Sequence, residues 1–219
     1  VLTLHEALKE DAPILHDTLT TMYRVERSAR GEDTGVKGNI AGHIQHKLGD
    51  IEKGFAEADV IVEREFDTET VHQGYIEPHA STAVWSQDGR VTIWTCTQSS
   101  FGIRTATAAI LAIPESTVKV IPTEIGGGFG AKITCYLEPV AAVLARKSGR
   151  PVKMVMDRKE VFEGTGPTSA THIRCKIGAK KDGKITASEI YMAYEAGAYP
   201  GSPVGGGAMA AMGPYNIEN

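Results

Sequence analysis

The chain has 219 residues, 42% of them hydrophobic and 23% charged, a globular composition that fits one large domain or two small ones. Lys and Arg number 23 against 27 Asp and Glu, a formal charge of -4, which leaves no basic surplus for a phosphate backbone and argues against nucleic-acid binding. No run approaches the ~20 apolar residues of a membrane span, and the N-terminus lacks a basic-then-apolar leader pattern, so the chain reads as soluble and cytoplasmic.

Taken in order, residues 1–58 carry short helical patterns among polar filler: LHEALKE, a charged Gly-containing stretch from Arg24 to Gly42, and GDIEKGFAEA. Asp50 is placed to cap that last helix, with Lys53 and Glu57 supporting it at i,i+4. The region is expected to be a tail or linker. From Ala58, ADVIVEREFDTE alternates apolar and polar residues as a half-buried strand does. HASTAVWSQDGRVTIWTCTQ predicts a hairpin turning at Asp88 and Gly89.

SSFGIRTATAAILAI predicts a helix stopped by Pro114, and TVKVI a short buried strand. LEPVAAVLARKSG predicts a helix closed by Gly149 and Pro151, and PVKMVMD the next strand. ATHIRCKIGAKKDGKITASEIYMAYEAGAY predicts a long hairpin turning at Asp182 and Gly183, its AKKDGK tip in water, and a Gly-rich run follows to Gly213. Hairpins outnumber βα repeats, so the expected class is α+β, a mixed sheet with hairpins and packed helices.

The chain's 24 glycines are about 11% of it, against a usual ~7%, and they cluster. Four lie in residues 126–130, inside IGGGFGAK, between a predicted strand and a predicted helix. Backbone N–H groups of such a turn approach an anion or electronegative ligand closely. A GxxxxGK[ST] phosphate loop starting at Gly126 fails twice, with Ala131 at the second Gly and Ile133 at the metal-binding hydroxyl. A dinucleotide fingerprint fits Gly126, Gly128 and Ala131, with Asp157 as ribose partner, but it puts Pro139 inside the helix that must open at the glycines. A third reading is a purely structural turn.

The other chemistry-bearing residues are weak signals. Cys96, Cys135 and Cys175 are odd in number and far apart, giving neither a disulfide framework nor a zinc site. His43 and His46 form an HxxH without a fitting third ligand, best read as a solvated turn. His72 and His79 flank YIEP and read as ordinary hydrogen-bonded histidines. Glu77 is the best general base by type, and Lys132 suits a phosphate or a turn equally. No GxSxG elbow supports hydrolysis. Phe101 and Met209 are expected in the core.

HQGYIEPHAS, WTCTQ, EIGGGFGAK and LARKSGRPVKMVMDR occur in this order and spacing, and together they resemble the molybdenum hydroxylases: the molybdopterin-binding large subunits of the xanthine dehydrogenase, aldehyde oxidoreductase and carbon monoxide dehydrogenase family. The resemblance implies that residues 59–219 are the N-terminal part of a molybdopterin-binding domain, truncated here. Residues 1–58 would be the tail of a preceding hammerhead-like domain and a linker. Gln98 matches the glutamine that hydrogen-bonds near the molybdenum and its dithiolene, and Phe129 and Gly130 match the pair whose backbone reaches the apical oxo ligand and the cofactor. Gly128 permits the turn, and Glu77 becomes a structural residue behind the cofactor.

The implied cofactor is molybdopterin, in a dinucleotide form, with iron–sulfur and FAD groups on partner domains or subunits of an oligomeric enzyme. Such an enzyme oxidises or hydroxylates a small carbon substrate (aldehyde, heterocycle or CO-like) with water as the oxygen source. Purine-hydroxylating members carry a glutamate where this chain has Ile133, and a substrate-clamping arginine where it has Gly205, Gly206 and Gly207, so a purine is not expected. AYPGSPVGGGAMAA looks more like the carbon monoxide and aldehyde branch. The chain begins at Val1 without Met and ends at Asn219 before the family's second cofactor loop and glutamate base. It is therefore expected to be an inactive fragment with an exposed apolar patch, no catalytic residue and no protein metal ligand.

Overall fold

The computed structural model describes residues 3–18, 20–25, 32–197 and 203–219. In chain order the elements are α1 (Leu4–Ala7), β1 (Thr20–Val25), β2 (Glu32–Lys37), β3 (Gly42–Gln45), α2 (Ile51–Ala56), β4 (Val60–Thr68), β5 (Ala80–Trp85), β6 (Val91–Thr95) and α3 (Ser100–Leu111). After them come β7 (Val118–Pro122), α4 (Glu138–Ser148), β8 (Val152–Val155), α5 (Arg158–Gly164), β9 (Thr171–Ala179), β10 (Ile185–Tyr194) and α6 (Val204–Met212). The class is α+β, as expected from the hairpins. No helix among the described residues is long and apolar enough to cross a membrane.

Local chemistry accounts for most boundaries. Asp50 accepts the Lys53 amide at 3.1 Å and caps α2, and Lys53 reaches Glu57 at 4.0 Å. α3 ends in Ala112 at φ 52° two residues before Pro114, and α4 ends in Gly149 at φ 64°. Asp157 caps α5 through a capping box with Glu160. That carboxylate is spent on the helix start, which removes it as a ribose partner.

Contacts divide the chain into two units, residues 1–70 with 169–219 and residues 71–168. The first unit holds two three-stranded sheets, β2-β1-β3 and β10-β9-β4. In the first of these, β1 pairs antiparallel with β2 and parallel with β3. These strands lie in the region expected to be tail and helical filler; they mix polar and β-branched residues without strict alternation, so periodicity did not expose them. Residues 26–31 of the charged stretch lie outside the described residues.

β4 pairs with β9 along its whole length, from Val60 opposite Ala179 to Thr68 opposite Thr171. It is not the half-buried strand its alternation predicts. Every residue of it is exposed, Val60, Val62 and Phe66 included, because α2 and α6 pack over the β9–β10 side of the sheet and leave β4 uncovered. The Gly-rich run predicts no regular element, yet residues 204–212 form α6. A Cβ at Gly207 would collide with the Tyr194 hydroxyl, so the glycine serves close packing on β10. Met209 is exposed, not core, and residues 198–202 of the AYPGSPVGGGAMAA segment lie outside the described residues.

The second unit is one four-stranded sheet, β7-β6-β5-β8, with α3 connecting the parallel pair β6 and β7. Its core gathers Ala83, Val91, Ile93, Ala108 and Val118 from the sheet and α3 with Ala141, Ala142 and Ala145 of α4. Alanine on the inner face of α4 lets the helix lie close on β5, where larger side chains would hold it off. Phe101 points elsewhere. It is 77% exposed on the first turn of α3, which corrects its expected place in the core.

Candidate functional site

β6 ends at Thr95, and the next three residues run directly into the glycine loop. Thr97 Oγ1 donates to the Lys132 carbonyl at 3.0 Å, and the Gln98 amide donates to the same carbonyl at 2.9 Å. The Gln98 side chain then turns back: its Oε1 accepts the Gly130 amide at 3.0 Å and the Lys132 amide at 3.2 Å. The sequence-predicted residues Gln98, Gly128, Phe129 and Gly130 are thus brought into one cluster across a separation of about thirty positions.

The glycines are there for two different reasons. Gly127 and Gly130 adopt φ +94° and +93°, which only glycine takes without strain, and Phe129 itself sits at φ 51°. Gly128 has no such φ. It permits the turn by leaving room, since a Cβ there would lie 2.5 Å from Gln98 Oε1. A Cβ at Gly126 would lie 2.7 Å from the Cβ of Glu77. No helix opens at the glycines, since α4 starts only at Glu138 with Pro139 in its first turn. The helix N-terminus that a dinucleotide fingerprint needs is therefore missing from the end of this loop.

Behind the loop lies an ion pair. Lys132 Nζ is 2.6 Å from Glu77 Oε2, its side chain is fully buried, and it stands 5.0 Å from the centre of the Tyr75 ring. Glu77 Oε2 also accepts the Gly126 amide at 2.8 Å. Burial pushes the Glu77 carboxyl up, but the hydrogen bonds from Lys132 and Gly126 and the lysine charge outweigh it and hold the group below its ordinary value. Glu77 is therefore an ionised clamp, not a poised base. Lys132, open to two readings from sequence, is spent on the turn.

The two histidines are structural and neutral. His72 Nδ1 accepts the Gly74 amide, which fixes the proton on Nε2, directed at Thr165 Oγ1 at 3.0 Å. His79 Nε2 meets the Tyr75 hydroxyl at 2.8 Å. Burial lowers both imidazoles, with the nearby charges of Arg158 at His72 and Lys132 at His79 adding to it. Three supports escaped the sequence reading. Arg158 donates to the carbonyls of Tyr75 and Ile76. The buried Glu138 accepts from Thr95 Oγ1 at 2.7 Å and from the Tyr136 amide at 2.9 Å, and Thr97 ties strand to loop. Thr97 and Arg158 fall inside WTCTQ and LARKSGRPVKMVMDR, but no local pattern marks these roles; each support acts through a partner at least 35 positions away or through a helix start.

What remains unspent defines the chemistry. Among the described residues, the amides of Gly127, Gly128 and Phe129 have no acceptor in the chain, nor has the Gln98 Nε2 group an acceptor. Together they form a concentrated set of neutral donors. Gln98 and Phe129 are exposed, the latter at 72%, whereas Gly127 is half-buried and Gly128 buried; Ile133, four positions beyond Phe129, is also exposed. Concavities of about 280 and 530 Å³ elsewhere in the unit are lined by no residue of the loop.

Comparison with known proteins gives the family of the chain. The sequence model of the molybdopterin cofactor-binding domain family matches residues 33–219. The nicotinate dehydrogenase large molybdopterin subunit of Eubacterium barkeri is 29% identical over all of the chain, which spans 48% of that protein. A probable hypoxanthine oxidase of Escherichia coli K12 is 32% identical over 91% of the chain and 23% of its own length. Among solved structures, aldehyde oxidoreductase from Desulfovibrio gigas superposes with TM-score 0.62 at 27% identity, covering 78% of this chain and 19% of that one. Reconstituted CO dehydrogenase from Oligotropha carboxidovorans gives 0.60 at 30%, covering 88% and 24%.

Proposed function

We propose a function from one premise: the chain belongs to the molybdopterin cofactor-binding domain family. Its loop and Gln98 contribute one wall of a molybdenum cofactor site, in a subunit that oxidises or hydroxylates a small carbon substrate. The observation that carries this is the Gln98 side chain. Its oxygen is committed to the Gly130 and Lys132 amides, and its nitrogen is left to donate beside the free amides of Gly127, Gly128 and Phe129. Those groups fit such a cofactor, whose oxo and dithiolene ligands accept hydrogen bonds and need few protein ligands. At Gly130 no side chain intrudes, and a Cβ would meet nothing within 4 Å.

When bound, the cofactor supplies the two-electron redox centre through which water-derived oxygen reaches carbon. The chain's own residues orient and tune. Glu77 and Lys132 hold Gly126 and the far end of the loop, so the donors are set before the ligand arrives and binding costs little reordering. The names of the relatives span nicotinate, hypoxanthine, aldehyde and CO oxidation, so they do not choose a substrate. Ile133 does. It is apolar and half exposed beside the loop, and it offers no carboxylate to a purine. We assign an aldehyde, a simple heterocycle or a CO-like molecule, with iron–sulfur and flavin partners taking the electrons in an oligomeric enzyme.

In this reading residues 59–219 belong to the cofactor domain, and the chain alone shows no turnover. Metal analysis of the subunit carrying this chain, made in a host that synthesises the cofactor, tests it. Near one molybdenum per subunit is expected, falling about tenfold in Gln98→Ala. Bound NAD without molybdenum overturns the reading, and turnover of xanthine ahead of aldehydes overturns the argument from Ile133.

A further inference from the structure

We propose that His5, Asp67 and His172 form a binding site for one divalent transition-metal ion of the zinc class. In the first unit, strands β4 and β9 set Asp67 directly opposite His172, and α1 brings His5 to the same point. Asp67 Oδ1 lies 2.8 Å from His5 Nε2 and 2.9 Å from His172 Nδ1. All three ligating atoms fall within 4.8 Å of one another. The imidazoles meet edge to face at 4.8 Å, and the Tyr191 ring stands against His172 at 6.2 Å and restrains it.

Two imidazole nitrogens and one carboxylate oxygen are the protein ligands of an open zinc site, with the fourth position left to water. Bonds of roughly 2.0–2.2 Å place the ligand atoms of a tetrahedral ion about 3.3 Å apart, so an ion enters as Asp67 Oδ1 parts from each imidazole nitrogen by about half an ångström and the two nitrogens, within 4.8 Å of each other, adjust to that spacing. The surroundings suit it. His5 and Asp67 side chains are each 59% exposed, which leaves an entry path, while His172 at 16% gives one well-anchored ligand.

The alternative is a bare His–Asp–His hydrogen-bond chain. At this exposure such contacts contribute little, and α1 has only four residues, too few to persist by itself. An ion joining positions 5, 67 and 172 staples α1 to the sheet. The binding free energy then appears as stability of the first unit.

The test uses the chain stripped with chelator and titrated with Zn²⁺ calorimetrically and with Co²⁺ by visible absorption. Expected are saturable binding of one ion per chain, intense d–d bands with Co²⁺, and a rise in the unfolding midpoint with Zn²⁺. Asp67→Asn, His5→Gln and His172→Gln should each weaken affinity at least about tenfold, while His43→Ala with His46→Ala leaves it unchanged. Circular dichroism checks the fold of each variant. Independently of any variant, Co²⁺ should shift the ring signals of His5 and His172 in the unaltered chain. Absence of saturable binding, binding that survives all three substitutions, or binding lost with His43 and His46 overturns the site.

Discussion

Replacing Glu77 by Gln takes the counter-charge from an ammonium that has no route to water. Lys132 is fully buried, 2.6 Å from the carboxylate, whereas the Glu77 side chain keeps 34% of its surface exposed. Breaking a buried pair from one side costs ~3–5 kcal/mol, because the remaining charge is uncompensated. The partial exposure of Glu77 places Glu77→Gln at the low end, about 3 kcal/mol. Lys132→Met is the milder change, since it leaves a carboxylate that still accepts the Gly126 amide and can turn to solvent. That is the loss of one charge-assisted hydrogen bond, about 1.5–2 kcal/mol.

Both tryptophans, Trp85 and Trp94, lie in the second unit, so urea unfolding followed by their fluorescence reads this unit directly. Acid supplies a second arm. Glu77 is held below its ordinary 4.5, so its contribution is complete above that pH and is lost as pH falls through the folded value. The unaltered chain should converge on Glu77→Gln in that window. A Glu77→Gln cost under about 1 kcal/mol, or a Lys132→Met cost as large as that of Glu77→Gln, would refute the asymmetry and with it the clamp.

Gly128→Ala should push Gln98 off the loop, since the added Cβ would lie 2.5 Å from its oxygen. Two amides then lose their acceptor, at about 2 kcal/mol in urea, and molybdenum content drops in the loaded subunit; unchanged stability and metal would show that the loop yields. His79 is 5% exposed and its imidazole is lowered by burial and then by the Lys132 charge. Its contribution to stability is therefore complete above pH 6.5 and declines below it as the unfolded chain takes up the proton. His79→Gln should flatten that limb, and parallel pH profiles for the two proteins would contradict the assignment. The Cys135 thiol is raised to about 11, chiefly by burial, so iodoacetamide at pH 8 should label it only after unfolding; mass spectrometry of the folded, labelled chain checks this.

Much of the molecule was legible from local patterns. The hairpin turns at Gly89 and Gly183, the Asp50 cap, the Gly149 terminator and the helices over Ser100–Leu111 and Glu138–Ser148 are set by residues within a few positions of each other. The glycine loop and Gln98 were readable too, because unusual composition and motif order survive without coordinates. The β1–β3 sheet was not, since its strands carry no alternation, and α6 was hidden by its three glycines, of which Gly207 receives Tyr194.

What the sequence determined alone is therefore part of the inventory: where the hairpins and the longer helices begin, and which residues form a donor-rich turn. Only the tertiary structure decided how that inventory is used. It turned the Gln98 oxygen inward, paired Glu77 with Lys132 across 55 positions, showed Gly128 to be a matter of room, and set Asp67 between two histidines 62 and 105 positions away. Chain periodicity reports the face of an element, but contacts between distant segments depend on strand register and on which chain ends meet, and no local pattern encodes either.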